Sequence, residues 1–323
     1  MVSMQRIAAL VCGALLFATA AQAQDFPGKP ITLVVPLGAG GALDIIARSI
    51  GPKIEAQLGK PIVIENRTGG GTVIAAVSVA KAPPDGYQLL FSPSGTLTTN
   101  TVLYKKLPYD PEKDFVPVAL TAKIPFVLVI NPALPAKTIP ELVAYSKTKP
   151  LTYSSTGTGA APHLIAELLK NRTGLQATHV PYKGAVPALT DVVGGHVDMT
   201  FADPSITREM LDVGKVRALG VSSLTRVGAV SEVPTLSEMG VPDFEGVSWH
   251  LVVAPAGTPD AIVERLRGAF KAAMADQEIA QKVVGMGVIP IDSPPRADLV
   301  RFVAEERVRW GKIVEQVGIA GSE

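Results

Sequence analysis

The sequence predicts an α/β protein built from two α/β domains, and three observations carry that reading. Short apolar runs alternate with segments of helical period along the chain. A strand that breaks on glycines and continues as a helix occurs twice, as VVPLGAGGALDIIAR in the first half and YSSTGTGAAPHLIAELL in the second. At 323 residues the chain is long enough to bury two cores unaided.

The elements follow in order. Arg6, the apolar stretch IAALVCGALLFATA and the small residues AQA before Gln24 read as a cleavable signal peptide over 1–23, cut after Ala23. Cys12 is the single cysteine and leaves with that leader, so the mature chain holds no disulfide, thiolate metal site or cysteine nucleophile. ITLVV is a buried strand. Leu43, Ile46, Ala47, Ile50, Ile54 and Leu58 then share one helical face, which Gly59 and Pro61 stop. Pro52 inside that helix predicts a break or kink near Gly51. PIVIEN is a strand, RTGGGT a second glycine turn, VIAAVSVAKA a short apolar helix, and YQLLFSPSG a strand running into a polar loop. In the second half, LTYSS is a strand and Pro162 opens the helix after its glycine turn. HVDMTFAD, VRALGVSS and WHLVVAPAGTP read as further strands, and helices around Ala261–Met274 and Pro295–Val317 close the chain.

A glycine turn feeding a helix presents bare backbone N–H groups at the positive end of the helix dipole, a setting for an anion. Two such turns facing each other across a cleft would clamp a small one. Other chemistries lack their parts. GAGGAL and GTGAAP miss the third glycine of a dinucleotide fingerprint, and no Gly-Lys precedes Ser or Thr as a P-loop requires. GVSWH has His250 where a nucleophile elbow needs its second glycine. The four histidines at 163, 179, 196 and 250 show no metal-ligand spacing, so no cofactor or metal is expected. Without Arg6 the 30 basic residues become 29 against 29 acidic ones, a balance that argues against nucleic acid. Asp44, three residues after Gly41, complements the dipole and fixes the loop. Asn in its place keeps the shape and one acceptor, so Asp44→Asn should be mild and Asp44→Ala more costly. Gly41 is expected at positive φ, where Val would be resisted. The hydroxyls of SPSGTLTTN, with Ser92 and Ser94, and of SSTGT stand near strand ends, where α/β proteins hold ligands.

An ordered set of segments then matches a known family: VVPLGAGGALDIIAR, IENRTGG, APPDGYQLLFSPS, KLPYDPEKDFVPVAL, YSSTGTGAAPHLIAELL, HVPYKGAVPALTDVVGGHVDM, VRALGVSS and WHLVVAPAGTP. Together they closely resemble the Bug family, the solute-binding receptors of tripartite tricarboxylate transporters, from about Gln24 to RWGKIVEQVGI. The resemblance implies a periplasmic binding protein-like fold of type II, with two α/β domains around a ligand cleft and a two-strand hinge. Residues 24–124 and about 250–323 would form one domain and 125–249 the other. It implies a periplasmic monomer that is not an enzyme, whose partners are a small carboxylate and the membrane permease subunits. A ligand-sensing subunit of a signalling system is the alternative the resemblance leaves open.

The family holds its carboxylates mainly through backbone N–H groups and hydroxyls of two facing loops. Here these correspond to Leu37, Gly38, Gly40, Gly41 and Asp44, and to Thr156, Gly157, Thr158, Gly159, Ala160 and His163. Ser92, Ser94, Tyr182 and Asp203 complete the expected ligand-binding set. Departures bear on specificity: Ala160, Ala161 and Pro162 stand where relatives usually carry serines, Thr68 where they carry Pro, and Thr72-Val73 where they carry Gly-Asn. A less polar second loop implies a ligand with an apolar or aromatic body, or one with a single carboxylate gripped firmly.

Overall fold

The computed structural model describes residues 26–323, and the leader read over 1–23 lies outside them. The described chain forms two sheets. The first contains β1 (Ile31–Val35), β2 (Ile62–Asn66), β3 (Gln88–Pro93) and β4 (Phe115–Ile124), with β10 (Ser248–Pro255) and β11 (Ile289–Pro290) returning from later in the chain. Its order is β11-β4-β10-β3-β1-β2. β1 runs parallel to β2 and β3, while β10 is antiparallel to β3 and β4. The second sheet contains β5 (Val127–Ile130), β6 (Leu151–Ser155), β7 (Ala177–Pro181), β8 (Met199–Ala202) and β9 (Arg217–Val221), in the order β7-β6-β8-β5-β9. There β6 is parallel to β7 and β8, and β5 is antiparallel to β8 and β9.

Period-two alternation explains why β1 and the Leu89–Phe91 stretch of β3 are apolar on successive residues: both faces of the sheet are covered there. Leu33, Leu89 and Phe91 pack with Leu43, Ile46, Ile50 and Ile54 of α1 (Ala42–Leu58) in one buried cluster. Their neighbours Val34 and Leu90 join Ala75, Ala76 and Val79 of α2 (Val73–Ala80), Trp249, and Leu299 of the last helix in another. Two short helices, α3 (Ser94–Leu97) and α4 (Asn100–Leu103), follow β3. The second sheet is covered by α5 (Ile139–Thr148), α6 (Ala161–Thr173), α7 (Ala185–Val193) and α8 (Pro204–Asp212). The closing helices are α9 (Asp260–Ala275), α10 (Gln277–Gly285) and α11 (Arg296–Val317). α9 packs on α1 and β4, and α11 on β4 and α4 with a further contact to α6.

The chain passes from the first sheet to the second between Ile124 and Val127, and back between Val221 and Ser248. Ser222 ties both passages together. Its N–H donates to Phe126 O at 2.8 Å, and its Oγ accepts from Phe126 N–H at 2.9 Å. The same hydroxyl donates to Gly246 O at 2.6 Å, and Gly246 N–H returns a bond to Ser222 O at 2.8 Å. Ser222 is fully buried, so this one hydroxyl satisfies two backbone groups that water does not reach.

Three features differ from the sequence reading. α1 runs unbroken through Pro52, which lies on its exposed face, where the carbonyl that loses its N–H partner can turn to water. The ten-residue β4, which the pattern of apolar runs does not single out, is an interior strand of the first sheet. Gly41 has φ −77°, an ordinary conformation, and the left-handed position in that loop is Gly40 at φ +84°.

Candidate functional site

The site loops share one topological position. Leu37–Gly41 follows β1, the stretch after Asn66 follows β2, and Ser94 follows β3. In the second sheet Thr156–Ala160 follows β6, Tyr182 follows β7 and Asp203 follows β8. All stand at the carboxyl ends of parallel strands, the place where α/β sheets receive ligands. The two halves of the chain touch beside the second-sheet loops. A Cβ on Gly159 would lie 2.3 Å from Leu103 Cδ2 of α4, and one on Gly287 would lie 2.3 Å from Pro204 Cβ at the start of α8.

The first loop is held from beneath by a cluster of donors around one carboxylate. Asp44, in the first turn of α1, is 2% exposed. Its Oδ2 accepts from Gly40 N–H at 2.9 Å and from Arg48 Nε at 3.0 Å, and its Oδ1 accepts from Asn66 Nδ2 at 3.0 Å. Asn66 Nδ2 also donates to Leu37 O at 2.9 Å, and Arg48 NH2 donates to Asn66 Oδ1 at 2.9 Å. Burial pushes the Asp44 carboxyl upward, but the bonds from Arg48, Gly40 and Asn66 outweigh it and hold it below the usual value. Asp44 therefore faces its own loop and fixes Leu37 and Gly40, leaving other backbone groups of that turn uncovered. Gly41 caps α1 without a side-chain bond. Sequence reasoning found Asp44 but not Arg48 or Asn66. The signal for Asn66 lay in the IENRTGG segment, at the end of β2.

The hydroxyls after β3 are mostly engaged inside the protein. Ser92 is fully buried and donates to Pro93 O at 2.9 Å, while Ser94 Oγ pairs with Ser248 Oγ at 2.8 Å. Thr72 takes the left-handed conformation at φ +80°, uncommon for a β-branched residue. Its hydroxyl is held 2.7 Å from Thr96 Oγ1, and Asn100 Nδ2 donates to Gly71 O at 3.0 Å beside it.

The second loop mirrors the first with different chemistry. Ser155 Oγ accepts from Gly157 N–H at 3.1 Å, and His163 Nδ1, in the first turn of α6, accepts from Gly159 N–H at 3.0 Å. Thr156 and Thr158 are half-buried, and among the described residues their hydroxyls have no protein partner. His163 is 3% exposed, and burial, with His179 beside it, pushes its pKa down to about 4.

Tyr182 and Asp203 separate in character. The Tyr182 hydroxyl donates to Asp191 Oδ2 on α7, and that bond, with burial second, raises its pKa to about 12. Asp203 caps α8 through its backbone carbonyl, which accepts from Ile206 and Thr207 N–H, both at 3.2 Å. Among the described residues its carboxylate has no side-chain partner, and burial raises its pKa to about 6. His250 is 5% exposed beside Phe91, and among the described residues its Nδ1 has no partner. Burial takes its pKa down to about 3. Among the described residues no three His, Cys, Asp or Glu side chains group as a metal site requires. A surface groove of about 910 Å³ between Leu107–Glu112 and α11 is lined by none of these site residues.

The arrangement offers positioned N–H groups and free hydroxyls to an anion. Comparison with known proteins agrees. Residues 46–319 match the model of the tripartite tricarboxylate transporter family receptor. The fold matches a solved R. palustris protein, Rpa4515 with adipate, at TM-score 0.84 and 36% identity, over 92% of this chain and 99% of that one. It matches the periplasmic binding protein BugD at 0.82 and 32%, over 91% and 99%. MatC from Rhodopseudomonas palustris with bound malate matches at 0.80 and 34%, over 90% and 100%. The α/β, periplasmic binding protein-like fold class read from the sequence is the one observed.

Proposed function

The chain belongs to the tripartite tricarboxylate transporter receptor family, and from that premise we propose that it captures a small carboxylate between its two sheets and hands it to membrane permease subunits. It does so as a periplasmic monomer, exported by the leader at 1–23. The domains are residues 24–124 with 250–323, and 125–249, moving about the two passages tied by Ser222. Ligand bridges the loops and shifts an open–closed equilibrium by its preference for the closed form, with no bond chemistry. The observation that carries this reading is the pair of glycine loops, each braced from behind, beside the Thr156 and Thr158 hydroxyls, which have no protein partner among the described residues.

The ligand is a carboxylate with an apolar body. Leu37 is 42% exposed, Ile74 55% and Val186 65%, and they stand on the segments after β1, β2 and β7. Asp203, half-buried and without a side-chain partner among the described residues, disfavours a second negative charge near it and favours a hydrogen-bond donor or a protonated acid. Adipate and malate, found in the two relatives, serve as first probes beside an aromatic acid such as benzoate. A thermal-shift screen tests the reading, since a ligand at 100 times its Kd adds roughly 2.7 kcal/mol of stability. Adipate or benzoate is expected to outperform malate. No shift with any carboxylate, or conversion of a bound acid seen by mass spectrometry, would defeat it.

A further inference from the structure

We infer that His179 and Ser155 are positioning residues for the second carboxylate loop, acting through the His163 ring; this rests on the receptor reading above. His179 opens the segment HVPYKG, though no local pattern in the sequence gives it a role. It lies on β7, the edge strand, in register with Tyr153 of β6, so that the two side chains share a face. His163 comes to the same place from the first turn of α6. The imidazoles of His163 and His179 stack with centroids 3.8 Å apart and planes 7° from parallel. Tyr153 flanks them, 5.0 Å from His179 and 6.1 Å from His163.

His163 meets one N–H group of the loop directly, and His179 meets the Ser155 hydroxyl that holds another. His163 Nδ1 accepts from Gly159 N–H, so in the neutral ring the proton sits on Nε2. His179 Nε2 lies 2.6 Å from Ser155 Oγ, which accepts from Gly157 N–H and lies 3.0 Å from Gly157 O. The alternate amides at 157 and 159 are thus anchored from behind, as Asp44 anchors Gly40. Stacking sets the plane of the His163 ring, and without it Nδ1 has no reason to point at Gly159.

The two anchors respond differently to acid. A proton on His179 leaves Nε2 a donor to Ser155 Oγ, and Ser155 can still donate to Gly157 O. A proton on His163 Nδ1 turns an acceptor into a donor facing Gly159 N–H, and that anchor is lost. The charged groups bearing on the pair are Glu167, which favours protonation, and Lys170, which opposes it. Glu167 is itself bonded to the Tyr153 hydroxyl and to Lys170 Nζ at 2.6 Å.

Amide exchange in the ligand-free full chain tests this, reading Gly159 protection relative to Leu33 in β1. In wild type, Gly159 protection should collapse on acidification together with titration of the His163 ring, near pH 4. His163→Asn sets an acceptor where Nδ1 stood and should restore protection at neutral pH without the acid step. His179→Ala should lower Gly159 protection at neutral pH roughly five- to tenfold, the worth of one neutral hydrogen bond. It should also move the acid step upward, because the neighbour that opposes His163 protonation is gone. His179→Phe keeps the stack and should retain Gly159 while loosening Gly157. Unchanged Gly159 protection in His179→Ala, or an acid step that persists in His163→Asn, overturns the inference. Adipate titration at neutral pH is the separate arm: absence of binding to wild type counts against the receptor reading and leaves the exchange result standing.

Discussion

Replacing Asp44 by Asn is the sharpest probe of the first loop, because every partner of that carboxylate is a donor. Gly40 N–H and Arg48 Nε meet Oδ2, while Asn66 Nδ2 meets Oδ1. Asn66 cannot turn over to help, since its Nδ2 also donates to Leu37 O and its Oδ1 accepts from Arg48. An asparagine at 44 therefore sets its NH2 against either Gly40 N–H or Asn66 NH2. The loss is one buried hydrogen bond to a charged group and one donor left facing a donor, together about 2–4 kcal/mol. Arg48 is 52% exposed at its side chain and relaxes into water, so the ion pair adds little beyond this. Asp44→Asn should lower the melting temperature by roughly 5–12 °C for a unit of this size, about as much as Asp44→Ala. This removes the difference expected from side-chain shape alone, by which Asp44→Asn would be the milder change. The Asp44 carboxyl is held below its ordinary 3.8, so its contribution is complete above that pH and is lost as pH falls through the folded value. The gap between wild type and Asp44→Asn should then close only below 3.8, where the protonated acid, like the amide, carries a donor. Calorimetric melts from neutral to acid pH supply the measurement. An Asp44→Asn protein as stable as wild type at neutral pH, with Gly40 equally protected from exchange, would refute the reasoning.

Three further outcomes follow from the geometry. Gly40→Ala, at φ +84° with open space around the new methyl, should cost about 1–2 kcal/mol through backbone strain alone. Gly41→Ala, whose Cβ would sit 3.7 Å from Gly38 O, should be nearly neutral, as chemical denaturation of both can decide. Ser222→Ala removes the hydroxyl that serves both Phe126 N–H and Gly246 O. It should cost about 2–4 kcal/mol, and solution scattering should show a broader spread of shapes without ligand. Burial holds His250 near 3 in the folded chain against an ordinary 6.5, so the unfolded chain takes up its proton first and stability falls as pH drops through that window. Asp203, raised to about 6, works in the opposite sense between 6 and its ordinary 3.8. His250→Phe should remove the first effect and flatten the acid slope by roughly 1 kcal/mol per pH unit, measured by urea unfolding at stepped pH.

What the sequence determined by itself is what a contiguous stretch can encode. Short, nearly continuous apolar runs in ITLVV and YQLLF made strands covered on both faces, and glycines before Ala42 and Ala161 made helix starts. Asp44 is legible for the same reason, since its loop lies four residues away. The brace behind each loop could not be read this way. Asn66 reaches Asp44 because β2 pairs with β1, and His179 reaches Ser155 because β7 pairs with β6. Leu103 meets Gly159 because the two sheets are turned loop to loop. Those partners are separated in the chain by 22, 24 and 56 residues. No local period records such distances: hydrogen bonds and van der Waals contacts act only over a few ångströms, which strand pairing and sheet packing must first supply.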